Sequence, residues 1–267
     1  MKSYGFIGCG NMGSALARAI CRRIDVKQLY LSNRDPDKAE KLAMELHANV
    51  SDRVSIAKEC DCIFLGVIPQ AMEKLLADIR PFLQERKKAP LLVSMAASLT
   101  IGEIGEMAGG NVPVVRIMPN TPVSVGEGVI LYACGDRAGP KETEQLINVL
   151  EAAGLCMEMQ EEQIDAATAL TGCGPAFVQM FIGGLADGAL ACGVPRKEAT
   201  LLAAQMLIGS AKLTLLSGRN PGALKEEVCS PGGTTIQGVR VLEERAFSGA
   251  AMDAVIAAYE KTKASVK

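Results

Sequence analysis

The sequence predicts an α/β protein in which an N-terminal, doubly wound and mostly parallel sheet is followed by an all-helical C-terminal domain. Over residues 1–160, short apolar runs alternate with amphipathic helical segments, which is the pattern of strands connected by crossover helices. From residue 161 to 267 the strand pattern fades and apolar helical segments follow one another. With 267 residues and 49% hydrophobic content, the chain can form two domains with separate cores, at 1–160 and 161–267.

Each element of the first domain is predicted from its apolar pattern. The strongest run, residues 62–67, is typical of a parallel strand that is buried on both faces. Helices are predicted where apolar residues recur every three or four positions. The predicted strands are 4–7, 28–32, 49–50, 62–67, 91–96, 112–117 and 129–132, and the predicted helices are 14–23, 38–46, 52–60, 71–83 and 141–153.

The second domain is predicted to contain helices at 163–170, 175–192, 196–217 and 221–228, then one long helix from about 234 to the end. Residues 176–192 are apolar enough to suggest a membrane span, but Gln179, Asp187 and three glycines interrupt them. Helices that are apolar on most faces and rich in small residues are better explained by burial in a tight bundle or between subunits. We therefore expect a homodimer or larger homo-oligomer, and no membrane partner.

Charge and cysteine content narrow the function classes. The net charge is −2, from 28 basic and 30 acidic residues without long blocks, which argues against a nucleic-acid partner. The nine cysteines are odd in number and lie within apolar runs, and no secretory signal precedes them, so we expect buried thiols in a cytoplasmic protein. Because His47 is the only histidine and no cysteine pair has zinc spacing, no metal site is expected. A small-molecule substrate fits best.

A glycine motif joins the first predicted strand to the first predicted helix. In this G-x-G-x-x-G, Gly8 permits a tight turn, Gly10 lets the backbone approach a pyrophosphate, and Gly13 allows the helix to pack on the strand. The amides at the helix start, including those of Asn11 and Met12, would face the anion. A purely structural turn is the alternative, but the strand and helix on either side favour a Rossmann-type dinucleotide-binding domain.

Polar residues follow the second predicted strand, about 20 residues beyond the glycines, where an NAD enzyme places an acidic residue on the ribose. This chain has Ser32, Asn33 and Arg34 there. A hydroxyl, an amide and a guanidinium suit the 2′-phosphate of NADPH, so NADPH is the expected cofactor and NADH the alternative. Asp35 could take the acidic role if the strand ended later, and residues 33–37 could also form a simple polar turn.

The carboxyl ends of the other predicted strands should lie along the same edge of the sheet, where doubly wound proteins bind their ligands. This places Val67, Pro69 and Ala97 beside the glycine motif as further cofactor contacts. Residues 118–122 form a stiff loop in which two prolines exclude regular helix. Such a loop could wall a nicotinamide pocket.

A second polar motif, residues 230–235, precedes the last predicted helix. Ser230 and Thr234 or Thr235 could cap that helix, and its open amides could hold a carboxylate. A helix cap without a ligand is the simpler reading of the motif alone. Beside a dinucleotide-binding domain, we favour the anion-binding interpretation.

Four motifs in this order resemble the pyrroline-5-carboxylate reductase family over nearly the whole chain. They are residues 8–13, the R-I-M-P-N-T-P of 116–122, the T-G-C-G-P-A-F of 171–177 and the S-P-G-G-T-T of 230–235. The resemblance implies a helical dimerisation domain and reduction of a cyclic imine to proline. It also implies that the substrate carboxylate is bound by Ser230, Gly233, Thr234 and Thr235, with Asn120 as a further substrate contact and the Thr235 hydroxyl, the catalytic residue, near the ring nitrogen.

The hydroxyacid dehydrogenases are the nearest enzyme alternative, since they share the two-domain plan. They need a histidine or lysine to move an alcohol proton. This chain has His47 alone, in the first domain, and no lysine between Glu142 and Arg196. A protonated imine mainly needs orientation toward the hydride donor, so the lack of such a residue favours the reductase.

Some positions depart from the family pattern, and the alternative they leave open is a non-catalytic or altered-specificity relative that binds nucleotide through the same fold. The departures are Ile68 in place of lysine, Ser98 in place of glycine, Thr171 and Cys173 in place of serines, and Phe177 in place of tyrosine.

We expect the protein to use NADPH more efficiently than NADH, and Arg34→Ala to reduce this preference by about tenfold to a hundredfold, because the guanidinium would make charge-assisted hydrogen bonds to the 2′-phosphate. Steady-state kinetics with both cofactors measure the effect, and kcat/KM for NADH is the internal control. Equal efficiency with the two cofactors in the unmutated protein would contradict the phosphate-binding interpretation.

Overall fold

The structure is a computed structural model that describes residues 3–265. The chain divides into two compact units. One comprises the chain up to Gly172 together with the residues from Lys261 onward, and the other is Cys173–Glu260. The predicted domain boundary between residues 160 and 161 stays a prediction. The helix that follows it, Glu161–Thr171, lies in the first of these compact units.

The first unit contains one eight-stranded sheet with the order β3-β2-β1-β4-β5-β6-β7-β8. Every neighbouring pair is parallel except β6 and β7, which confirms the predicted mostly parallel, doubly wound architecture. The strands are β1 Tyr4–Ile7, β2 Leu29–Ser32, β3 Asn49–Val50, β4 Cys62–Leu65, β5 Leu91–Ser94, β6 Val114–Pro119, β7 Gly128–Cys134 and β8 Gly154–Glu158.

Helices connect these strands, and several begin at sequence signals for helix starts. Asp52 caps one of them, since its Oδ1 accepts from the amides of Val54 (2.8 Å) and Ser55 (3.0 Å). Three others have proline in the first turn, where its missing N–H costs nothing. The helices are α1 Asn11–Ile20, α2 Pro36–Leu46, α3 Arg53–Glu59, α4 Pro69–Gln84, α5 Ile101–Met107, α6 Pro140–Leu150 and α7 Glu161–Thr171.

The core of this unit lies on both faces of the sheet, because successive residues of a strand point to opposite sides. Phe6 and Phe64 stack on one face, with ring centroids 4.3 Å apart. Ile63 and Leu65 belong to the cluster on the other face. All four residues of β4 are fully buried, as predicted for its apolar run.

The second unit is entirely helical, as predicted. Its helices are α8 Gly174–Ala191, α9 Arg196–Ser217, α10 Pro221–Glu227, α11 Thr234–Glu244 and the start of α12 Phe247–Ser265. Within the described part of this unit, the buried residues are small: Ala186, Ala199 and Ala203. Many of the large apolar side chains are exposed, including Met180 (77%), Leu201 (69%), Leu215 (77%) and Leu216 (87%).

The stretches Glu161–Ala191 and Arg196–Ser217 are long and apolar enough to cross a membrane by composition alone, with 11% of each window buried in the single chain. The same exposure is expected of helices that pack against another protein chain.

The prediction of one long C-terminal helix is wrong, because α11 and α12 are separate helices. Ala246 lies between them in the left-handed region, with φ of 52°. The turn brings the Phe247 ring to 5.3 Å from that of Phe181 on α8, centroid to centroid. Neither glycine nor proline marks this break, so the local sequence contains no stop signal.

Helix α5 was not predicted, although its capping box is visible in the sequence. The Thr100 Oγ1 accepts from the Glu103 amide (3.2 Å), and the Glu103 carboxylate accepts from the Thr100 amide (2.7 Å). Gly102 and Gly105 obscure the helical pattern, since glycine is a poor helix former. Strand β8 was not predicted either, because the strand pattern is weak around Cys156 to Met159.

Ser98, which follows β5, has a positive φ of 65° where the family pattern has glycine. Left-handed backbone strains a residue with a Cβ. We expect Ser98→Gly to stabilise the protein by about 0.5–1 kcal/mol, a rise in Tm of about 2 °C, and Ser98→Val to lower Tm. Thermal unfolding measures both. Ser51→Gly, in a loop after β3 at a residue without positive φ, is the matched control and should be destabilising or neutral.

Candidate functional site

The glycine motif forms the turn between β1 and α1, and two of its glycines are required by packing. Gly8 has a φ of +113°, and a Cβ at this position would lie 2.4 Å from the carbonyl oxygen of Gly66. A Cβ at Gly13 would lie 2.2 Å from the carbonyl oxygen of Gly8. The turn after β1 therefore packs backbone against backbone, as the motif predicts.

Gly10 differs from these two glycines, because no atom of the described residues, its chain neighbours aside, lies within 4 Å of the position its Cβ would take. Gly10 is exposed and is the N-cap of α1, and within residues 3–265 no side chain caps this helix. The open space above Gly10 adjoins the first-turn amides of Asn11, Met12 and Gly13. A pyrophosphate needs both features, so the loop fits a dinucleotide.

Asn33 joins this loop to the next one. Its Oδ1 accepts from the Cys9 amide (3.0 Å), and its Nδ2 donates to the Asp35 carbonyl (3.0 Å). Ser32 is buried, and its carbonyl accepts from the Gly8 amide (2.8 Å). The Arg34 side chain is exposed. The structure thus gives Ser32 and Asn33 structural roles that the sequence did not reveal, and their contacts with a 2′-phosphate stay predictions.

Cys9 lies within the same loop as a buried thiol. Burial raises its pKa to about 11, and the thiol donates a hydrogen bond to the Ser32 carbonyl (3.6 Å). The thiol is therefore neutral at physiological pH. A neutral side chain here adds no charge that would repel a bound phosphate.

The ends of β4 and β5 continue this edge of the sheet. A Cβ at Gly66 would lie 2.5 Å from the Gly8 carbonyl oxygen, so the backbones after β1 and β4 are in close contact. Val67 is partly buried, and Pro69 begins α4. Ala97 is exposed beyond β5. These three predicted contacts follow neighbouring strand ends, and their roles stay predictions.

Asn120 is 7% exposed, and both ends of its amide are engaged. Its Nδ2 donates to the Thr171 carbonyl (2.9 Å), and its Oδ1 accepts from the Val129 amide (2.8 Å). Asn120 therefore holds the loop after β6 to the neighbouring strand and to the last residue of α7. Its contact with substrate stays a prediction.

Arg116 on β6 was not singled out by the sequence analysis. Its side chain is 3% exposed, and Nη2 lies 2.7 Å from the Asp165 carboxylate and Nη1 3.5 Å from that of Glu161. The Glu161 carboxylate also accepts from the Ile101 amide (2.7 Å). A charged residue within an apolar strand signals a buried pair of this kind. Arg116 and Asn120 thus hold the two ends of α7.

The S-P-G-G-T-T motif begins α11, with Gly233 as the N-cap. Thr234 and Thr235 are the first two residues of the helix, so the expectation that one of them caps it is wrong. A Cβ at Gly233 would lie 2.3 Å from the Ser230 Oγ, and the Gly233 amide donates to the Ser230 carbonyl (3.0 Å). No side chain of the described residues caps this helix. Its first amides are therefore open, which an anion site requires.

Two family descriptions match the chain, one in each half. Residues 3–98 match "NADP oxidoreductase coenzyme F420-dependent" and residues 161–265 match "Pyrroline-5-carboxylate reductase dimerisation". The second match includes the exposed apolar helices. It confirms the predicted homo-oligomer.

Similarity to characterised proteins extends over nearly the full length. The pyrroline-5-carboxylate reductases of Escherichia coli and Methanosarcina acetivorans are each 37% identical, over 98% of this chain and 97% of theirs. The solved structure of Plasmodium falciparum pyrroline carboxylate reductase with NADP bound has a TM-score of 0.85 and 33% identity, covering 99% of this chain and 98% of that one. The chain therefore belongs to the pyrroline-5-carboxylate reductase family.

Proposed function

We propose that this chain is an NADPH-dependent imine reductase that converts 1-pyrroline-5-carboxylate to L-proline, the last step of proline biosynthesis. The observation that carries the proposal is the 37% identity to the E. coli reductase across 98% of the chain. The nucleotide loop and the uncapped start of α11 give this identity a chemical basis, since each can hold one of the two reactants.

The nucleotide is proposed to bind at the carboxyl ends of β1, β2, β4 and β5. The amides of residues 10–13 would hold the pyrophosphate above Gly10, where the structure leaves room for it. Arg34 would bind the 2′-phosphate, while Asn33 keeps the two loops in register through its bond to the Cys9 amide. NADP is bound in the Plasmodium relative, which supports the same assignment for this chain.

The substrate carboxylate is proposed to bind at the start of α11. The amides of Gly233, Thr234 and Thr235 and the Ser230 hydroxyl would donate to its oxygens, and the positive end of the helix dipole would favour its charge. Because Gly233 lacks a Cβ, the Ser230 hydroxyl can approach the helix start. This arrangement would fix the ring with respect to the helix axis.

The Thr235 hydroxyl is proposed to accept a hydrogen bond from the N–H of the protonated imine and so orient the ring. When bound, NADPH supplies a hydride to the imine carbon. The electron pair of the C=N double bond then moves to nitrogen, and the resulting amine takes a proton from solvent to become the ammonium group of proline. Because the imine enters already protonated, the chain needs no acid at this step.

Ile68 bears on the alternative of an altered-specificity relative. Its side chain is 67% exposed at the end of β4, where the family pattern has lysine. An apolar residue there removes one positive charge from the nucleotide edge, and we expect weaker attraction of the cofactor phosphates rather than loss of catalysis.

The chain is a soluble enzyme of this family, and we propose the cytoplasm as its compartment. All nine cysteines are free thiols, and Cys9, Cys60 and Cys62 are buried. A reducing compartment keeps thiols in this state.

The direct test is NADPH oxidation by the purified protein with racemic 1-pyrroline-5-carboxylate, followed by chiral analysis of the product. One L-proline should form for each NADPH consumed. NADPH binding without turnover would instead support the non-catalytic alternative.

Gly10→Ala should weaken NADPH binding without unfolding the protein, because the added methyl group meets no protein atom but occupies the space proposed for the pyrophosphate. We expect the Kd for NADPH to rise about tenfold or more, with Tm nearly unchanged. Gly13→Ala is the contrasting variant, since its Cβ would collide with the Gly8 carbonyl and lower Tm. Unchanged NADPH affinity in Gly10→Ala would place the phosphates elsewhere.

Thr235→Val should lower kcat by about tenfold to a hundredfold, because it removes about 1–3 kcal/mol of hydrogen bonding that orients the ring for hydride transfer. NADPH affinity and Tm should change little, since Thr235 is exposed and does not cap α11. Thr200→Val, at an exposed threonine of α9, is the matched control. A normal kcat in Thr235→Val would remove this residue from the catalytic assignment.

A further inference from the structure

Strand β8 forms one edge of the sheet and, among the residues that the structure describes, pairs only with β7. Gly154 fixes it there, because a Cβ at this residue would lie 2.0 Å from the Gly128 carbonyl oxygen. Exposed edge strands usually carry lysine, proline or a bulge that prevents pairing with another chain. Residues 154–158 contain neither lysine nor proline, and Glu158 is their one charged residue.

On one face of the sheet, the side chains of β8 are apolar. Helix α7 covers this same face on the neighbouring strand, β7. Leu155 is 53% exposed and Met157 is 46% exposed. In the parallel register Met157 lies beside Leu131 of β7, and residues paired in this way share a face. Leu131 is buried in a cluster with Ile164 of α7. The apolar strip of β8 therefore lies on the same face of the sheet as α7.

The identity of the covering molecule follows from where the dimerisation match begins. That match starts at Glu161, the first residue of α7, so the strip adjoins the start of the segment that forms the dimer. We propose that the interface between two copies of this chain extends beyond the matched helices onto β8, so that the second copy covers Leu155 and Met157. This adds the last strand of the nucleotide-binding unit to the dimer interface.

Methionine oxidation of the wild-type oligomer tests this coverage directly. Met44 on α2 is the internal control, since it is 76% exposed and α2 packs against β2 and β3 at the opposite end of the sheet. The two exposures in the single chain differ less than twofold. Under limiting hydrogen peroxide, with peptide mass spectrometry, we expect Met157 to oxidise about tenfold more slowly than Met44, because the second copy covers it. Comparable rates would overturn the proposal.

A pair of charge substitutions gives an independent test. Met157→Lys should raise the dimer dissociation constant about tenfold or more, because it places a charge in an apolar interface, whereas Met44→Lys should leave it unchanged. Sedimentation velocity over a dilution series measures both constants, and circular dichroism confirms folding. An unchanged dimer dissociation constant in folded Met157→Lys would contradict the proposal. Protection of Met157 from oxidation that persisted after the wild-type dimer dissociated would also contradict it. If the variant failed to fold, the wild-type oxidation rates would still decide.

Discussion

The nucleotide-binding unit depends on one close backbone contact. In this contact the carbonyl oxygen of Gly8 lies against the backbone of Gly13 and Gly66. The Cβ positions of Gly13 and Gly66 would lie 2.2 Å and 2.5 Å from this oxygen, so three chain segments meet where no side chain fits. One begins α1, one leaves β4, and the third is the turn after β1. Close approach of these backbones sets how near the helix start lies to the strand ends, and thereby where an anion can contact its amides.

The second unit has a different constraint, because its own fold buries so little. Its large apolar residues, such as Leu216 at 87% exposure, cannot contribute to stability while they face water. A second chain that buried them would stabilise this unit, which would link its folding to assembly. The polar contacts of α7 in the first unit have the opposite character. Arg116 and Asn120 bond to groups far away in sequence and hold this helix to the sheet in the single chain.

The sequence predicted most of the architecture because parallel strands buried on both faces produce short, unbroken apolar runs. It did not reveal contacts whose partner is distant. Asn33 and Asn120 stay predicted ligand contacts, and their amides also bind backbone groups 24 and 51 residues away, which no local pattern reveals. Beside the break at Ala246, Phe247 likewise packs against the distant Phe181. The position of the glycine motif was predicted correctly, because the motif connects a strand and a helix that are adjacent in the sequence.

The two proposed anion sites share a glycine N-cap that is followed by a residue with a free N–H, although α7 and α9 also begin without a side-chain cap. Asp52 and Thr100 cap α3 and α5 with their side chains. In contrast, α1 and α11 begin at glycine N-caps, Gly10 and Gly233, with no side chain of the described residues bonded to their amides. Glycine also precedes α6, but the next residue is Pro140, which has no N–H to offer.

An uncapped helix start forgoes stabilisation of about 1 kcal/mol relative to a good cap. In α1 and α11 the next residues, Asn11 and Thr234, retain their amides, so a bound anion can supply the missing acceptor. A side-chain cap would satisfy those amides permanently and compete with the ligand. Under the proposed function, the same backbone chemistry would serve a pyrophosphate at one helix and a carboxylate at the other, which would let a chain with a single histidine bind two anionic reactants.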